Sequence, residues 1–556
     1  MQQSIMKSMS PTDLSTPFTS IKITQLRTSK MQQMRNLDIQ TGIYKTPRTE
    51  QVFCSLTGLQ DDEHDLTFHG GPDKAVHQYF PGHYPSWRLE YPESSAFEIG
   101  GFGENIVCEN PLPGEGGMNE MNVCIGDIYQ IGDEKVGVRL QVSLPRQPCF
   151  KLNHRFSVKG FAPQTWKKSR TGWYYRVLKE GYIGVGDNMV LVERLHPDWT
   201  IERIQEYMNR DAKHLDKLEE LEKIEEFGAE CKGAIKRLVT KLKNKPKAPE
   251  AWRDFTVVGT EKQNTRIMSF TFQALDTEDS GADISPGSFV SLKLPNGLKR
   301  SYSIVHGSSD RFELGVALTD DSRGGSQYLH SQLKVGDVLP VSKTTTSVPM
   351  AEHASNHIFI AGGIGITAFL AHIKTYQAIN YNYHLHYATR SIDDIPFKDT
   401  IEKMGKNVTI YSKAEGSRMD IFAILKNRVW NTQTYICGPQ RMTTSALRAA
   451  TELGMSQDEI HYEAFQADGT GDPFTVELRK SKKTLSVDGD KTLLETMREA
   501  GLEVDSSCET GNCGTCKVDV CEGKVEHRGT SLVEEERRTA MLSCVSRGIG
   551  RIVIDF

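Results

Sequence analysis

The segment Cys508-Glu-Thr-Gly-Asn-Cys-Gly-Thr-Cys516, near the end of the 556-residue chain, is its most diagnostic stretch. A fourth cysteine follows after 27 residues, which gives the spacing C-x4-C-x2-C-x27-C. This spacing is typical of a 2Fe–2S cluster, because a tight loop supplies three thiolates and a distant strand the fourth. Structural zinc is the alternative, but zinc ligands usually come as two C-x2-C pairs and only one is present. We therefore predict a 2Fe–2S cluster held by Cys508, Cys513, Cys516 and Cys544.

Two further segments precede this cysteine-rich stretch of residues 474–556. Residues 251–350 contain short apolar runs at strand spacing and predict a β-structured domain. Residues 351–466 alternate apolar runs with helical segments, which predicts a parallel α/β sheet.

The β-structured segment carries two short polar motifs. Arg300-Ser-Tyr-Ser303 is expected at the end of a strand, where it could be no more than a polar strand end. Two dozen residues later, Arg323-Gly-Gly-Ser326 predicts a glycine turn entering a helix, and such a turn can hold a phosphate by its backbone N–H groups.

The α/β segment carries two glycine-containing turns. Ala361-Gly-Gly-Ile-Gly-Ile-Thr367 follows an apolar strand, where glycines let the backbone approach a pyrophosphate. Tyr435-Ile-Cys-Gly-Pro439 closes another strand. By itself, the first of these could be a tight turn without a ligand.

Taken in order, the motifs R-x-Y-S, G-G-I-G-I-T, C-G-P and C-x4-C-x2-C resemble the phthalate dioxygenase reductase family over residues 250–556. The resemblance implies a flavin-binding antiparallel β-barrel, an α/β nucleotide-binding domain and a β-grasp ferredoxin domain. The R-G-G-S motif favours FMN, with FAD as the alternative. The implied flavin contacts are Arg300, Tyr302, Ser303, Gly325 and Ser326. The implied nucleotide contacts are Gly362, Gly363, Gly365, Thr367, Arg390, Arg418, Cys437 and Gly438.

The acidic pair Asp393 and Asp394 follows Arg390 directly. Carboxylates at this position would repel the 2′-phosphate of NADPH. We therefore expect NADH to be the nucleotide.

The first half of the chain has a different pattern. Residues 21–195 show strand-like runs separated by glycine, aspartate and proline, and residues 196–242 show helical spacing that predicts a three-helix segment. Residues 243–250 are charged and contain proline, as expected of a linker. Residues 1–20 are expected to form a disordered tail, with a mitochondrial presequence as the alternative.

Three motifs in this half, H-G-G-P-D-K (His69–Lys74), F-G-E-N (Phe102–Asn105) and P-R-Q-P-C (Pro145–Cys149), resemble the MOSC domain, in particular bacterial members that detoxify N-hydroxylated bases. The resemblance implies a β-rich barrel that binds a molybdenum cofactor, with Cys149 as catalytic metal ligand. A soft thiolate suits molybdenum, although a lone cysteine is more often core filler. The implied contacts to the pterin and its phosphate are His69, Lys74, Asn105, Arg146 and Gln147.

The composition excludes some other classes of protein. A formal net charge of −5 argues against nucleic-acid binding, and no apolar run is long enough for a membrane helix. Eleven cysteines without a signal peptide indicate a reducing, cytoplasm-like compartment.

Together the motifs predict a multidomain oxidoreductase that passes electrons from NADH through FMN and a 2Fe–2S cluster to a molybdenum cofactor, which reduces a small N-hydroxylated substrate. An external redox partner is then possible but not required. The alternative is a reductase for an external oxygenase, with the MOSC half as a binding or sulfur-carrier module. A third hypothesis is an electron-transfer protein without a substrate of its own.

Overall fold

The chain divides into two compact units, one formed mainly before residue 248 and one after it. Their architecture is taken from a computed structural model. The residues that it describes are 19–65, 70–110, 117–243, 252–276, 284–319, 324–348, 350–351, 353–465, 469–506, 508–529, 531–532 and 535–556. Among them, no helix combines the length and the apolar character that crossing a bilayer requires.

The first unit is built on a closed β-barrel. Strands β13, β9, β10, β11, β7, β8 and β1 follow each other around it, and β1 pairs with β13 to close the ring. The side chains of β1 alternate between exposed and buried at its start, as a barrel wall requires. The strands of the unit are β1 Ser20–Thr28, β2 Gln32–Gln33, β3 Gln40–Thr41, β4 Thr46–Arg48, β5 Val52–Ser55, β6 Gly58–Leu59, β7 Val76–Gln78, β8 Ile106–Cys108, β9 Ile128–Ile131, β10 Val138–Pro145, β11 Trp173–Lys179, β12 Gly181–Ile183 and β13 Asn188–Glu193.

Three helices accompany this barrel and three more follow it. They are α1 His83–Glu90, α2 Phe150–Phe156, α3 Phe161–Lys167, α4 Ile201–Gln205, α5 Leu215–Glu222 and α6 Ala229–Lys243. Leu218, Leu221 and Ile235 of the last two helices share one buried core with the barrel strands. The helical segment is therefore part of the same hydrophobic unit.

The second unit begins with another closed antiparallel barrel. Its ring runs β17, β18, β15, β14, β19 and β16, and β16 pairs back with β17. Its elements are β14 Arg253–Lys262, β15 Ile267–Ala274, β16 Ser288–Lys293, β17 Lys299–Gly307, β18 Arg311–Ala317, α7 Gly325–Ser331, β19 Val338–Val341 and β20 Thr345–Thr346.

The next part of this unit is a five-stranded parallel sheet in the order β23, β22, β21, β24, β25. Every residue of β21 is buried, as expected for a central strand covered on both faces. The elements are β21 Asn356–Gly362, α8 Leu370–Ala378, β22 Tyr383–Thr389, α9 Lys398–Glu402, β23 Val408–Ser412, α10 Ile421–Lys426, β24 Thr432–Cys437, α11 Gln440–Glu452 and β25 Ile460–Glu463.

The chain ends in a mixed five-stranded sheet with one helix. The sheet order is β27, β26, β30, β28, β29, and a capping box between Thr492 and Glu495 starts the helix. The elements are β26 Phe474–Leu478, β27 Lys483–Val487, α12 Leu493–Glu499, β28 Lys517–Glu526, β29 Ala540–Leu542 and β30 Arg547–Ile554. The predicted fold class is confirmed: a multidomain chain with two β-barrels, an α/β domain and a ferredoxin domain.

Candidate functional site

The predicted flavin motif lies at the start of strand β17, not at a strand end as the sequence suggested. The strand runs from Lys299 to Gly307 and pairs with β16 along the whole motif, so the polar tetrapeptide is part of the barrel wall. A Cβ on Gly325 would lie 2.7 Å from the Arg300 side chain. The two predicted flavin motifs therefore meet, and a larger residue at position 325 would require the Arg300 side chain to move.

The remaining residues of the motif indicate a site from which solvent is partly excluded. Ser303 is buried, and burial raises the pKa of the Tyr302 hydroxyl above its ordinary value, so this group stays a neutral donor. Ser326 lies in the first turn of α7, and its hydroxyl is 3.2 Å from that of Thr319. Arg323 lies outside the described residues.

The two nucleotide turns meet at the carboxyl ends of neighbouring parallel strands. Ala361 of β21 is in register with Cys437 of β24. A Cβ on Gly365 would lie 2.2 Å from the Cys437 carbonyl oxygen, so that position requires glycine. Thr367 is buried, and its hydroxyl donates to the Ile364 carbonyl at 2.9 Å. Ligand crevices of open α/β sheets lie at this edge.

The predicted arginines border this edge at separate points. Arg390 is exposed directly after β22, and the acidic residues 393–394 form the short helical turn that follows. Arg418 is exposed in the loop before α10 and lines an open cavity of about 400 Å³ with His386 and Tyr411.

The four predicted cluster ligands converge as two pairs. Cys508 and Cys513 are hydrogen-bonded neighbours, and the sulfur atoms of Cys516 and Cys544 are 3.1 Å apart. Within the described ranges, no three His, Cys, Asp or Glu side chains are arranged to hold a single metal ion. Two thiolate pairs suit the two irons of a 2Fe–2S cluster better than one zinc ion.

Backbone amides surround one of these sulfur atoms. The N–H groups of Thr510 and Asn512 donate to the Cys508 sulfur at 3.4 and 3.3 Å. Such bonds stabilise thiolate charge and tune the potential of a bound cluster. Cys521 is exposed on β28, away from the four ligands.

A buried carboxyl, Glu463, joins the flavin, nucleotide and cluster segments. It ends β25 and accepts a hydrogen bond from Ser347 at 3.0 Å. Its pKa is raised to about 7, mainly by burial and also by the nearby Cys508, while hydrogen bonds from the hydroxyls of Ser347 and Ser303 oppose the shift. In the next residue, the Ala464 carbonyl accepts from Asn512 of the cysteine loop at 3.1 Å. The cluster loop is thereby attached to the edge that carries the flavin and nucleotide residues.

In the first unit, Cys149 stands half-buried where β10 leads into α2. Arg146 lies three residues earlier and is only 5% exposed. Its guanidinium is 5.6 Å from the Phe102 ring, and no residue that the structure describes accepts from its Nε or Nη1. A buried guanidinium three residues before a half-buried cysteine is chemically compatible with an anionic ligand whose metal the thiolate would bind.

Two other predicted pterin contacts of this half, Lys74 and Asn105, also form contacts within the fold, and their role toward a ligand stays a prediction. Lys74 forms an ion pair with Glu230 of helix α6. Asn105 donates to the Arg27 carbonyl at 3.0 Å and to Asp62 at 2.8 Å, so both of its amide hydrogens are used within the barrel.

The remaining candidates of this half stay predictions. Gln147 is exposed between Arg146 and Cys149, and His69 lies outside the described residues.

Glu463 and Ser347 are not among the contact residues that the sequence predicts. A carboxylate at the end of the last strand of the α/β segment is a usable signal for Glu463. Nothing in the local sequence distinguishes Ser347 from other loop serines.

Two family models match the chain. The MOSC domain matches residues 65–190, and the 2Fe-2S iron-sulfur cluster binding domain matches residues 476–547.

Several known proteins are similar to this chain. A reductase of Gibberella moniliformis is 38% identical over 93% of this chain and 92% of its own length. The carnitine monooxygenase reductase subunit of Escherichia coli is 33% identical over 53% of this chain and 95% of its own length. Among solved structures, a phthalate dioxygenase reductase is 27% identical over 55% of this chain and 98% of its own, with a TM-score of 0.43.

The expected combination of a MOSC domain with a phthalate dioxygenase reductase-like module and a ferredoxin domain is confirmed. The second unit is a flavin- and nucleotide-dependent oxidoreductase module with 2Fe–2S electron transfer.

Proposed function

We propose that this chain, which belongs to the family of the Gibberella moniliformis reductase, is an NADH-dependent FMN and 2Fe–2S reductase that supplies electrons to a separate terminal acceptor. The MOSC half would serve as a binding or sulfur-carrier module. Relatives named as reductase subunits of monooxygenases support an external acceptor, because they match the second unit over nearly their whole length.

The observation that carries the proposal is the junction around Glu463. The cysteine loop reaches the nucleotide domain through the bond from Asn512 to Ala464, next to a carboxyl that Ser347 of the barrel segment contacts. When bound, the flavin takes up a hydride pair and the cluster carries single electrons. The chain holds the residues for both groups on one edge, and half-exposed Cys513 leaves a side of the loop open to an acceptor.

The preference for NADH and FMN rests on separate observations. Asp393 is exposed in the turn after β22, where its charge would oppose a 2′-phosphate. The contact between Gly325 and Arg300 brings a cation to the start of α7, which suits the terminal phosphate of FMN.

Anaerobic mixing of the purified protein with NADH tests the electron path. We expect the flavin to be reduced in the wild type, in Cys544→Ser and in the matched control Cys521→Ser. Transfer to cytochrome c should be lost in Cys544→Ser alone. An unchanged rate of cytochrome c reduction in Cys544→Ser would refute the path through the cluster.

The arrangement of Cys149 and Arg146 favours a second candidate function. In it the MOSC half holds a molybdenum cofactor, with Cys149 as ligand and Arg146 facing its anionic part, and this half reduces N-hydroxylated compounds. The specific observation is that Nε and Nη1 of the buried Arg146 guanidinium have no acceptor among the described residues, because burying such a charge is unfavourable unless an anion compensates it.

Metal analysis and one variant separate the two functions. The second candidate requires molybdenum in the purified protein and loss of NADH-driven hydroxylamine reduction in Cys149→Ser, with cytochrome c reduction intact. Absence of molybdenum, together with unchanged hydroxylamine reduction in Cys149→Ser, would leave the external-acceptor function.

A further inference from the structure

The turn between β14 and β15 of the flavin barrel holds a segment of the nucleotide domain. Gln263 Oε1 accepts the Phe397 N–H at 2.9 Å, and Asn264 Nδ2 donates to the Asp394 carbonyl at 2.7 Å. Both partners are backbone groups. These bonds therefore fix the path of the chain between residues 394 and 397, and not just the orientation of one side chain.

The two amide side chains are themselves held in place. Asn264 Oδ1 accepts from the N–H groups of Arg266 and Ile267 at 2.9 and 2.8 Å, while Gln263 Nε2 donates to Ser269 at 3.2 Å. Each side chain thus uses one end within its own hairpin and the other end on the nucleotide domain. Such preorganised groups position a partner without an additional loss of side-chain freedom.

The held segment has a backbone conformation that needs this support. Phe397 has a φ of 52°, in the left-handed region that residues with a Cβ seldom occupy. Its ring packs against the barrel, since a Cβ on Gly315 would lie 3.1 Å from it. Without the barrel contacts, the chain around Phe397 could relax toward an ordinary conformation.

The same segment carries the acidic pair that follows β22. Its turn is fixed on the sheet side, where the Thr389 hydroxyl donates to the Ser391 carbonyl at 2.9 Å and the Asp394 N–H donates to the same carbonyl at 3.1 Å. On the other side, the bonds from Gln263 and Asn264 complete its attachment. The position of the carboxylates is therefore determined jointly by two domains.

We propose that Gln263 and Asn264 are positioning residues that set the place of Asp393 and Asp394 and thereby the discrimination between NADH and NADPH. The inference rests on the proposed function, in which these carboxylates face the nucleotide ribose. Because repulsion between a carboxylate and a 2′-phosphate depends on their separation, a displaced turn discriminates less.

Two variants break the contacts with little change of shape. Asn264→Asp keeps the oxygen that caps the hairpin and replaces the donor to the Asp394 carbonyl by a second acceptor. Gln263→Met keeps the length of the side chain and removes the acceptor for the Phe397 N–H. Gln263→Glu is the matched control, because it retains that acceptor.

The measurement is kcat/KM for NADH and for NADPH with ferricyanide as electron acceptor, normalised to flavin content. Asn264→Asp and Gln263→Met should each lower the NADH:NADPH ratio of kcat/KM by about 3- to 10-fold, the range for losing one ordinary hydrogen bond. The change should lie in KM, with kcat and bound flavin retained. Gln263→Glu should stay within about twofold of the wild type on the same scale.

Asp393→Asn gives the reference shift for direct loss of a carboxylate. If it changes the ratio while Asn264→Asp and Gln263→Met do not, the positioning role is refuted and the proposed function stands. Equal losses for both nucleotides in the two variants would also refute it, because they indicate a structural effect alone. A wild type that oxidises neither nucleotide would overturn the proposed function together with this inference.

Discussion

The nucleotide domain is predicted to lose stability in acid because of a histidine in its core. His357 is fully buried at the start of β21, and its ring packs against that of Tyr376 at a tilt of 34°, with centroids 4.2 Å apart. Among the described residues neither ring nitrogen has a hydrogen-bond partner. Burial, together with the charges of His372 and His461, lowers its pKa to about 3. Only the neutral imidazole is therefore compatible with the folded core.

The magnitude follows from linkage between protonation and folding. In the unfolded chain the pKa of a histidine is about 6.5. Below that pH the unfolded chain therefore binds a proton at His357, whereas the folded domain does not. The contribution of neutral His357 to the free energy of unfolding is fully present above pH ~6.5 and falls by about 1.4 kcal/mol per pH unit as the pH drops toward 3. Between pH 7.5 and 5.0 the loss from His357 is about 2 kcal/mol.

His357→Phe keeps an aromatic ring at this position and removes the titrating group. Hydrogen exchange of the β21 and β24 peptides, corrected for the intrinsic pH dependence, measures the opening free energy of this domain alone. Between pH 7.5 and 5.0 that free energy should fall by about 2 kcal/mol less in His357→Phe than in the wild type. The control His306→Gln, at an exposed histidine, should follow the wild type. Equal pH dependence in wild type and His357→Phe would refute the reasoning.

Three further outcomes follow from the packing of the second unit. Gly365→Ala should abolish flavin reduction by NADH in stopped-flow absorbance while flavin content is kept, because its Cβ would collide with the Cys437 carbonyl at 2.2 Å; unchanged reduction would contradict this. Arg547→Met should destabilise the ferredoxin domain by about 3 kcal/mol or more in urea unfolding. The reason is that the buried guanidinium donates hydrogen bonds to four backbone carbonyls, those of Gly469, Asp472, Asp488 and Lys491. A loss below about 1 kcal/mol would mean that these carbonyls find other hydrogen-bond donors in the variant. In the wild type, stability should fall as the pH rises from about 4.5, the pKa of Glu463 in the unfolded chain, to about 7, its pKa in the folded domain. Glu463→Gln should lack this loss, as measured by hydrogen exchange of β25. A wild type without the loss would contradict the raised pKa of Glu463.

The elements of the second unit could be predicted from sequence because their signals are local. An apolar run followed by Gly-Gly-Ile-Gly at 362–365 specifies a strand and a turn, and the structure has β21 followed by a short helical turn there. The error in placing Arg300-Ser-Tyr-Ser303 has a local cause as well. Polar residues suggested a strand end, but an antiparallel barrel accepts polar side chains along the wall that faces a ligand.

Roles that depend on distant partners could not be predicted in the same way. Lys74 and Glu230 are separated by 156 residues, and Asn105 and Asp62 by 43. No periodicity or spacing indicates that a cation in one motif is neutralised by a helix so far along the chain. Asn264 is a similar case, since its partner is the backbone carbonyl of Asp394. Every residue has such a carbonyl, so the sequence does not indicate which one accepts this bond.

The difference between roles set by local motifs and roles set by distant partners bears on which half of the chain accepts electrons. In the second unit, residues from three domains converge on Glu463, and two of them, Ser303 and Cys508, belong to motifs that the sequence assigns to flavin and cluster binding. In the first unit, Lys74 and Asn105 have partners inside the fold, whereas Nε and Nη1 of Arg146 have no acceptor among the described residues. A pterin phosphate bound there would have to be held by fewer groups than the motifs imply, or by displacing Glu230 from Lys74. Measuring molybdate or phosphate binding in Glu230→Gln against the wild type distinguishes these cases: tighter binding in the variant means that the ion pair competes with the ligand, and equal binding means that the anion is held without release of Lys74.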